Sequence, residues 1–163
     1  MDWSLIKKRI FFICLCMAGC SGNNTEQVLE KPIFSFKITA SPLLNPDIFS
    51  KPSPVVVLFY HLKNPLQFEN ASFLSLYNQP LETLSNSLIN IDEMEIRPKE
   101  MMSKSLSLFE EARHIGVVVA FRNISKAQWK TLIEIPRDKE KIMCEDNVCE
   151  KKIFIEMSSF QID

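Results

Sequence analysis

The fold of this chain is decided by Val55-Val56-Val57-Leu58-Phe59-Tyr60, a continuous run of β-branched and aromatic residues. Such a run is typical of a strand that is buried on both faces or nearly so. Outward from it, residues 34–40 alternate between apolar and polar side chains, which predicts a strand with one buried face. Further strands are predicted at residues 89–97, 104–109, 115–122, 129–135, 141–144 and 150–157. Eight short strands separated by turn signals predict an all-β fold, a two-sheet β-sandwich.

A small helical insertion is predicted between the early strands. From residue 63 to residue 87 the large apolar side chains recur at a helical rather than a strand period, namely at Phe68, Phe73, Leu76, Tyr77 and Leu84. Pro80 divides this segment, so we expect two helices, at about 70–78 and 81–87. Helices this short need packing for stability, so they are expected to cover an edge or a face of the sandwich. A helical patch that binds a partner is the alternative.

The N-terminus has the features of an export signal. Lys7-Lys8-Arg9 precedes an apolar run that is too short to span a bilayer, and the small residues Ala18-Gly19 follow it. The first residue after the expected cleavage site is Cys20, as in a bacterial lipobox, although Met17 stands where Leu is usual. We therefore predict that residues 1–19 are a lipoprotein signal peptide that is removed, and that Cys20 is lipidated. An ordinary signal peptide with a chance cysteine is the alternative.

The rest of the chain divides into a tether and a body. Residues 20–32 lack hydrophobic periodicity, which predicts a lipidated flexible tether in front of a β-sandwich domain at residues 33–163. Ser21 follows the cysteine where Asp would mark inner-membrane retention in enterobacterial lipoproteins, so we expect attachment to the periplasmic face of the outer membrane. The 19 basic and 20 acidic residues become 16 and 19 once the signal peptide is excluded. A slightly acidic chain without a basic block argues against a nucleic-acid partner.

Two cysteines remain in the body, Cys144 and Cys149. If Asp146-Asn147 is the two-residue turn of a hairpin, the two cysteines lie opposite one another at a distance that permits a disulfide. An oxidising compartment favours that bond over free thiols. A metal site is the third alternative, but only His61 and His114 could complete it and their spacing is not that of ligands. No metal and no cofactor are therefore predicted.

Motifs of catalysis are missing from the sequence. It contains no G-x-S-x-G, no H-E-x-x-H, no C-x-x-C and no phosphate-binding glycine loop. Adjacent carboxylates occur at Asp92-Glu93 and Glu110-Glu111, but neighbours in a strand point to opposite faces and do not form an acid–base pair. His61 is expected to bond a local backbone group, and His114 to be structural or on the surface. The chain is therefore not predicted to be an enzyme.

Residues 43–54 combine apolar side chains with a sequence that opposes regular structure. Three prolines and an Asn-Pro step indicate a loop. Apolar residues in this loop are Leu43, Leu44, Ile48 and Phe49. Either the loop folds back and buries them, or a stiffened apolar tip offers anchors to another protein, since prolines lower the ordering cost of binding. The residues themselves leave both interpretations open.

Three blocks of sequence, in order, resemble a known family. They run from Ala40-Ser41 through Asn45-Pro46-Asp47 to Pro52-Ser53-Pro54-Val55-Val56-Val57, then from Phe68 to Leu76-Tyr77, then over Ala112-Arg113-His114-Ile115-Gly116-Val117-Val118-Val119-Ala120-Phe121-Arg122. Trp129 follows, as the family pattern expects, whereas Pro98-Lys99 stands where Pro-Gly is common. Together with the lipobox, these blocks resemble the outer-membrane lipoprotein of type VI secretion systems, the TssJ (SciN) family.

The resemblance implies a fold, a partner and a contact site. The fold is a transthyretin-like β-sandwich with an added helical piece. The partner is the periplasmic C-terminal domain of the inner-membrane protein TssM, which the lipoprotein tethers to the outer membrane. The contact lies in the loop between the first two strands, at Leu44, Asn45, Pro46, Asp47, Ile48 and Phe49 in this chain. The alternative belongs to another class of function: a periplasmic lipoprotein that binds a small ligand, a glycan or an enzyme in a cleft of the sandwich.

Overall fold

The computed structural model describes residues 33–135, 148–156 and 158–163, in which two four-stranded sheets pack face to face. The strands are β1 Ile33–Ala40, β2 Val55–Leu62, β3 Leu88–Ile96, β4 Met101–Ser107, β5 His114–Val119, β6 Lys130–Glu134, β7 Val148–Ile155 and β8 Phe160–Ile162. The first sheet has the order β4-β1-β7-β8 and the second has the order β3-β2-β5-β6. Only β1 and β7 run parallel among the paired strands of the described residues. The predicted all-β, two-sheet sandwich is confirmed.

Strand β2 is buried on both faces, as its sequence predicts. One face carries Val55, Val57 and Phe59 into the core between the two sheets, where the ring of Phe59 lies 4.9 Å from that of Phe36 in β1. The opposite face carries Leu58, Tyr60 and Leu62 into a second apolar cluster beneath the helices. A strand that alternates polar and apolar residues would leave one of these faces in water. The uninterrupted apolar run is therefore explained by the second layer.

Three short helices form that second layer, α1 Leu66–Asn70, α2 Phe73–Asn78 and α3 Pro80–Leu84, followed by a 3₁₀ turn at Ser85–Ser87. Each helix buries one large apolar side chain in the second cluster, namely Phe68, Leu76 and Leu84. The prediction that the helices cover a face of the sandwich is confirmed. The covered face is the outer face of the second sheet.

The helix boundaries differ from the prediction for two local reasons. The predicted helix at 70–78 is interrupted because Ala71 and Ser72 are extended, and Ser72 caps α2 by accepting the backbone N–H of Ser75. The predicted division at Pro80 is confirmed, because this residue is the first of α3, where its missing N–H costs nothing. The extra helix α1 precedes the segment that was expected to be helical.

Two contacts hold the helices onto the sheet. The Phe68 ring lies directly over Gly116 in β5, where a Cβ would come within 2.5 Å of the ring carbons. The Lys130 ammonium of β6 donates to the carbonyl oxygens of Phe68, Glu69 and Ala71 at 2.7–2.9 Å. These carbonyls lie at the C-terminus of α1, where cations are favoured. Burial lowers the pKa of Lys130 below its ordinary value.

The strand predictions need a few corrections. Strand β8 was missed, because Phe160-Gln161-Ile162 is too short to show a period. Strand β5 ends at Val119, three residues before the predicted end, because the chain turns there and Phe121 N–H bonds the Val119 carbonyl. The predicted strand at 141–144 lies outside the described residues. The other boundaries lie within three residues of their predicted positions, and the end of β1 and the start of β2 match them.

The connections of the sandwich group at two opposite ends. The β1–β2, β3–β4 and β5–β6 connections are joined by hydrogen bonds from Ala40 N–H to the Glu100 carbonyl (2.9 Å) and from Arg122 N–H to Asn45 Oδ1 (2.8 Å). We call residues 41–54, 97–100 and 120–129 the loop end. The first residue of β1, Ile33, lies at the opposite end, about 23 Å away for an eight-residue strand.

Candidate partner-binding loop

The β1–β2 connection, residues 41–54, is a hydrogen-bonded loop centred on Asn45. This residue has φ of 46°, a left-handed conformation that Asn tolerates better than most residues. Its side-chain Nδ2 donates to the Pro54 carbonyl (2.7 Å), and its Oδ1 accepts the backbone N–H of Arg122 (2.8 Å). Its own carbonyl accepts the Ser53 hydroxyl (2.9 Å). One buried side chain therefore joins both arms of the loop to the β5–β6 connection.

The tip of the loop is shaped by Asp47. Its Oδ1 accepts the backbone N–H groups of Phe49 and Lys51, each at 2.9 Å, and its own N–H donates to the Lys51 carbonyl. These bonds, chiefly the one from Lys51, hold the pKa of Asp47 below its ordinary value. Ser50 completes the turn with φ of 62°. A tip held in this way loses little freedom on binding.

Two large apolar side chains project from that tip into solvent. Ile48 is 92% exposed and Phe49 is 82% exposed, the highest values among the large apolar residues of the described chain. Leu43 is exposed by about half at the base of the loop. Pro46 and Asp47 are half-buried. A rigid loop that places its most apolar residues in water has the form of a binding site rather than of a core element.

The structure corrects two of the six predicted contact residues. Leu44 is completely buried in the core between the sheets, and Asn45 is 4% exposed. Their side chains point inward because one fills the core and the other satisfies buried backbone groups. Both residues support the loop, and the accessible members of the predicted set are residues 46–49. The loop therefore buries Leu44, as the first interpretation expects, and exposes Ile48 and Phe49, whose binding to another protein stays a prediction.

Three exposed cations lie in the connections that meet at the loop end, and sequence reasoning did not identify them as site residues. Lys51 belongs to the same loop, Arg122 follows β5, and Lys99 lies in the β3–β4 connection. All three are exposed, and within the described residues none of them takes part in an ion pair. The signal that could have identified one of them is Pro98-Lys99, where Lys replaces the Gly that the family pattern favours. Lys99 has φ of 68°, which explains why Gly suits that position.

A second set of exposed apolar residues lies on the helical layer. Its members are Leu66, Leu74, Tyr77 and Leu81. Leu74 and Tyr77 are three residues apart in α2 and so share one face, opposite the buried Leu76. The alternative that this layer also binds a partner is therefore not excluded by its role as cover.

A polar cluster lies at the edge where β3 and β4 meet. The fully buried His61 places its Nε2 at 2.9 Å from Asp92 Oδ2, and the Lys104 ammonium lies 3.5 Å from Asp92 Oδ1. The expectation that His61 bonds a backbone group is therefore wrong, because its partner is a carboxylate. Asn90 donates to the same carboxylate. These contacts join β2, β3 and β4. In the described part of the chain no group of three or more His, Cys, Asp or Glu could hold a metal ion.

Several predicted site residues lie outside the described residues. Cys144 is one, so the disulfide stays a prediction; the backbone of Cys149 lies opposite Phe34 in the β1–β7 pair. Cys20 also lies outside the described residues, as do the predicted signal peptide at 1–19 and the predicted tether at 20–32. Among the helices that are described, none is long and apolar enough to cross a membrane.

Comparison with protein families gives one match, over residues 32–158. The family is described as "Type VI secretion lipoprotein, VasD, EvfM, TssJ". The chain belongs to this family. The match covers strands β1 to β7, the helical layer and the β1–β2 loop, so the resemblance found in the sequence is confirmed. A search among curated proteins gave no significant match.

Solved structures of type VI secretion proteins share the fold. The lipoprotein TssJ1 from Pseudomonas aeruginosa is 24% identical, with a TM-score of 0.72, and the match covers 82% of this chain and 95% of that one. Lip from Serratia marcescens, a membrane-bound component of the system, is 22% identical, with a TM-score of 0.75 and coverage of 82% and 96%. A chain from a structure described as the TssM C-terminal domain from EAEC also matches, with 17% identity, a TM-score of 0.64 and coverage of 81% and 98%. At these identities the likeness establishes the fold.

Proposed function

We propose that this lipoprotein holds the periplasmic C-terminal domain of TssM at the outer membrane, as a structural adaptor without catalytic activity. The observation that carries the proposal is the pair of exposed side chains Ile48 and Phe49 on a loop whose backbone is fixed by Asn45 and Asp47. Exposed aromatic and aliphatic residues on a pre-organised loop are the usual anchors of a protein interface.

The position of the loop suits an adaptor. The predicted lipid at Cys20 precedes β1, which begins at the end of the sandwich remote from the loop end. A lipid at the start of the tether would hold the body to the membrane without covering Ile48 and Phe49. Two acyl chains or more anchor a protein stably, whereas one chain is marginal. The two ends of the sandwich would thus carry the two attachments that an adaptor needs.

The proposal is tested by replacing the two anchors with charges. The Ile48→Asp/Phe49→Asp variant should lose affinity for the purified TssM periplasmic domain by at least ~100-fold, because a central anchor contributes about 2 kcal/mol or more. Both residues are almost fully exposed, so the thermal unfolding of the variant should match that of wild type. A wild-type protein that does not bind this domain would overturn the adaptor function. Undiminished binding by the variant would instead move the contact away from the loop.

The lipid is tested separately with Cys20→Ser. The soluble variant should bind the TssM domain as wild type does, because Cys20 precedes the folded body. In cells it should abolish type VI secretion, since a body without its anchor cannot hold TssM at the membrane. Normal secretion by this variant would show that the function does not need membrane attachment.

The cleft-binding alternative has less support. The inner faces of the two sheets are packed against each other by fully buried side chains, among them Phe36, Phe59 and Ile153. A ligand between the sheets would have to displace this core, at a cost of several kcal/mol for each large side chain.

A further inference from the structure

We infer that the partner surface recognised by the loop end is an apolar pocket bordered by carboxylates. This inference rests on the proposed function and names the chemistry of the contact. It combines the two exposed anchors, Ile48 and Phe49, with the exposed cations Lys51, Lys99 and Arg122 of the same loop end. An apolar centre with a charged rim is the common anatomy of a specific protein interface.

Three connections bring the cations to the loop end, with Lys51 and Arg122 beside Asp47 and Lys99 at the base of the loop. Lys51 is two residues from Phe49, and its N–H bonds the Asp47 carboxylate that shapes the tip. Arg122 donates its backbone N–H to Asn45 and also acts on the charge of Asp47. Lys99 donates its backbone N–H to the Ser41 carbonyl at the base of the loop (3.4 Å). Topology thus brings to one place charges that are up to 71 residues apart in sequence.

The acidic groups of this end accept backbone N–H groups, and Asp47 also interacts electrostatically with Lys51 and Arg122 without forming an ion pair with either. Asp47 accepts two backbone N–H groups, and Glu100 accepts the backbone N–H of Arg97 (2.7 Å). Glu95 lies beside Arg97, at 3.6 Å. Since Lys51, Lys99 and Arg122 form no ion pair among the described residues, their charges are available to a partner.

Lys99 supplies a second, independent observation. Its φ of 68° places a long side chain in a conformation that suits Gly, and a residue with a Cβ is strained there. No described side chain bonds the Lys99 ammonium, so no contact of this group within the fold offsets the strain. A strained backbone conformation that no contact within the fold explains is expected at a functional position. The ammonium at the loop end is the only property that Lys adds over Gly.

A membrane surface is the other partner that an apolar tip with cations could suit. The direction of β1 argues against it, because the chain enters the sandwich from the far end. The tether therefore joins the body at the end remote from the tip, so anchoring through Cys20 does not require the tip to touch the bilayer. The partner favoured by the geometry is a protein.

The test measures binding to the TssM periplasmic domain between about 50 and about 300 mM NaCl, where screening of exposed charges increases. For wild type we expect the association rate to fall about tenfold over this range. Lys51→Glu/Arg122→Glu should weaken binding about 30-fold at low salt and remove most of the salt dependence. Lys152→Glu, on β7 away from the loop end, is the control and should change affinity less than threefold.

Lys99→Gly separates a binding role from a structural one. Removal of the strain should raise the melting temperature by about 2–5 °C, while loss of the charge should weaken binding about three- to tenfold. Unchanged affinity in both this variant and the double charge reversal, with wild type still binding the domain, would overturn the acidic-rim inference and leave the adaptor function intact. No binding by wild type would overturn both. Loop-dependent binding to vesicles of phosphatidylethanolamine and phosphatidylglycerol would overturn the inference in favour of a membrane.

Discussion

The loop at residues 41–54 and the helical layer at residues 66–87 are both insertions next to β2, yet they are held in opposite ways. The helical layer turns Phe68, Leu76 and Leu84 inward and is fixed chiefly by apolar contact with the second sheet, to which Lys130 and Tyr60 add hydrogen bonds. The loop buries one large side chain, Leu44, and is otherwise fixed by hydrogen bonds of Asn45 and Asp47. Its largest remaining apolar side chains are in water.

This difference separates an insertion that stabilises the sandwich, the helical layer, from one that can bind a partner, the β1–β2 loop. A segment held by its apolar residues cannot offer those same residues to a partner. A segment held by polar bonds is free to expose them, and its rigidity lowers the ordering cost of binding. We therefore expect changes in the helical layer to act on stability and changes at the loop tip to act on affinity.

The largest effect on stability is expected for Phe68→Ala. This change opens a cavity between α1 and Gly116 in the fully packed second cluster, so the free energy of unfolding should fall by about 3–5 kcal/mol. Urea unfolding followed by circular dichroism measures it. The control is Leu81→Ala on the exposed side of α3, which should change the stability by less than about 0.5 kcal/mol. Equal effects of the two variants would contradict the view that the layer is fixed by its buried side chains.

Asn45→Ala should give the next largest loss of stability, and it should also weaken binding to the TssM domain. The backbone N–H of Arg122 and the carbonyl of Pro54 lose their partners, and a left-handed φ is less favourable for Ala, so stability should fall by about 1–3 kcal/mol. Affinity for the TssM domain should fall as well, because the tip is no longer held in place. Asn45→Asp keeps the acceptor for Arg122 and should lie between Ala and wild type. A stability loss without any change in affinity would show that the tip does not need this anchor.

A smaller, pH-dependent effect is expected for Tyr60→Phe. The Tyr60 hydroxyl donates to the Leu76 carbonyl (3.0 Å), and burial raises the pKa of Tyr60 to about 12. Because the folded pKa exceeds the unfolded value of 10.0, this contribution to stability is present below pH 10 and is lost as the pH rises toward 12. At pH 8 the variant should lose about 1 kcal/mol. Urea midpoints at pH 8 and pH 11 should show a smaller decline for the variant than for wild type, and identical declines would contradict this role.

Much of the fold could be predicted from local pattern. The run at Val55–Tyr60 indicated a strand buried on both faces, and Pro80 marked the division of the helical segment. What was missed depends on information that is not local. Strand β8 is too short to show a period, and α1 is set by contact of Phe68 with the sheet.

The candidate site was predicted in location but not in detail. Alternation and hydropathy cannot show that Leu44 turns inward while Ile48 turns outward within one irregular loop, because no period relates them. The role of Asn45 depends on Arg122, 77 residues away in sequence. The cations of the loop end belong to three connections, and the topology alone brings them together.

The central claim is that the loop tip binds the TssM domain, whereas the helical layer stabilises the sandwich. It is tested most directly by measuring the affinity for the TssM periplasmic domain of two matched double variants, Ile48→Ser/Phe49→Ser and Leu74→Ser/Leu81→Ser, by isothermal titration calorimetry. All four residues are exposed and apolar, so neither variant should change the fold. The account predicts a loss of at least ~30-fold for the loop variant, and less than threefold for the helical variant. The reverse order, or equal losses, would contradict it.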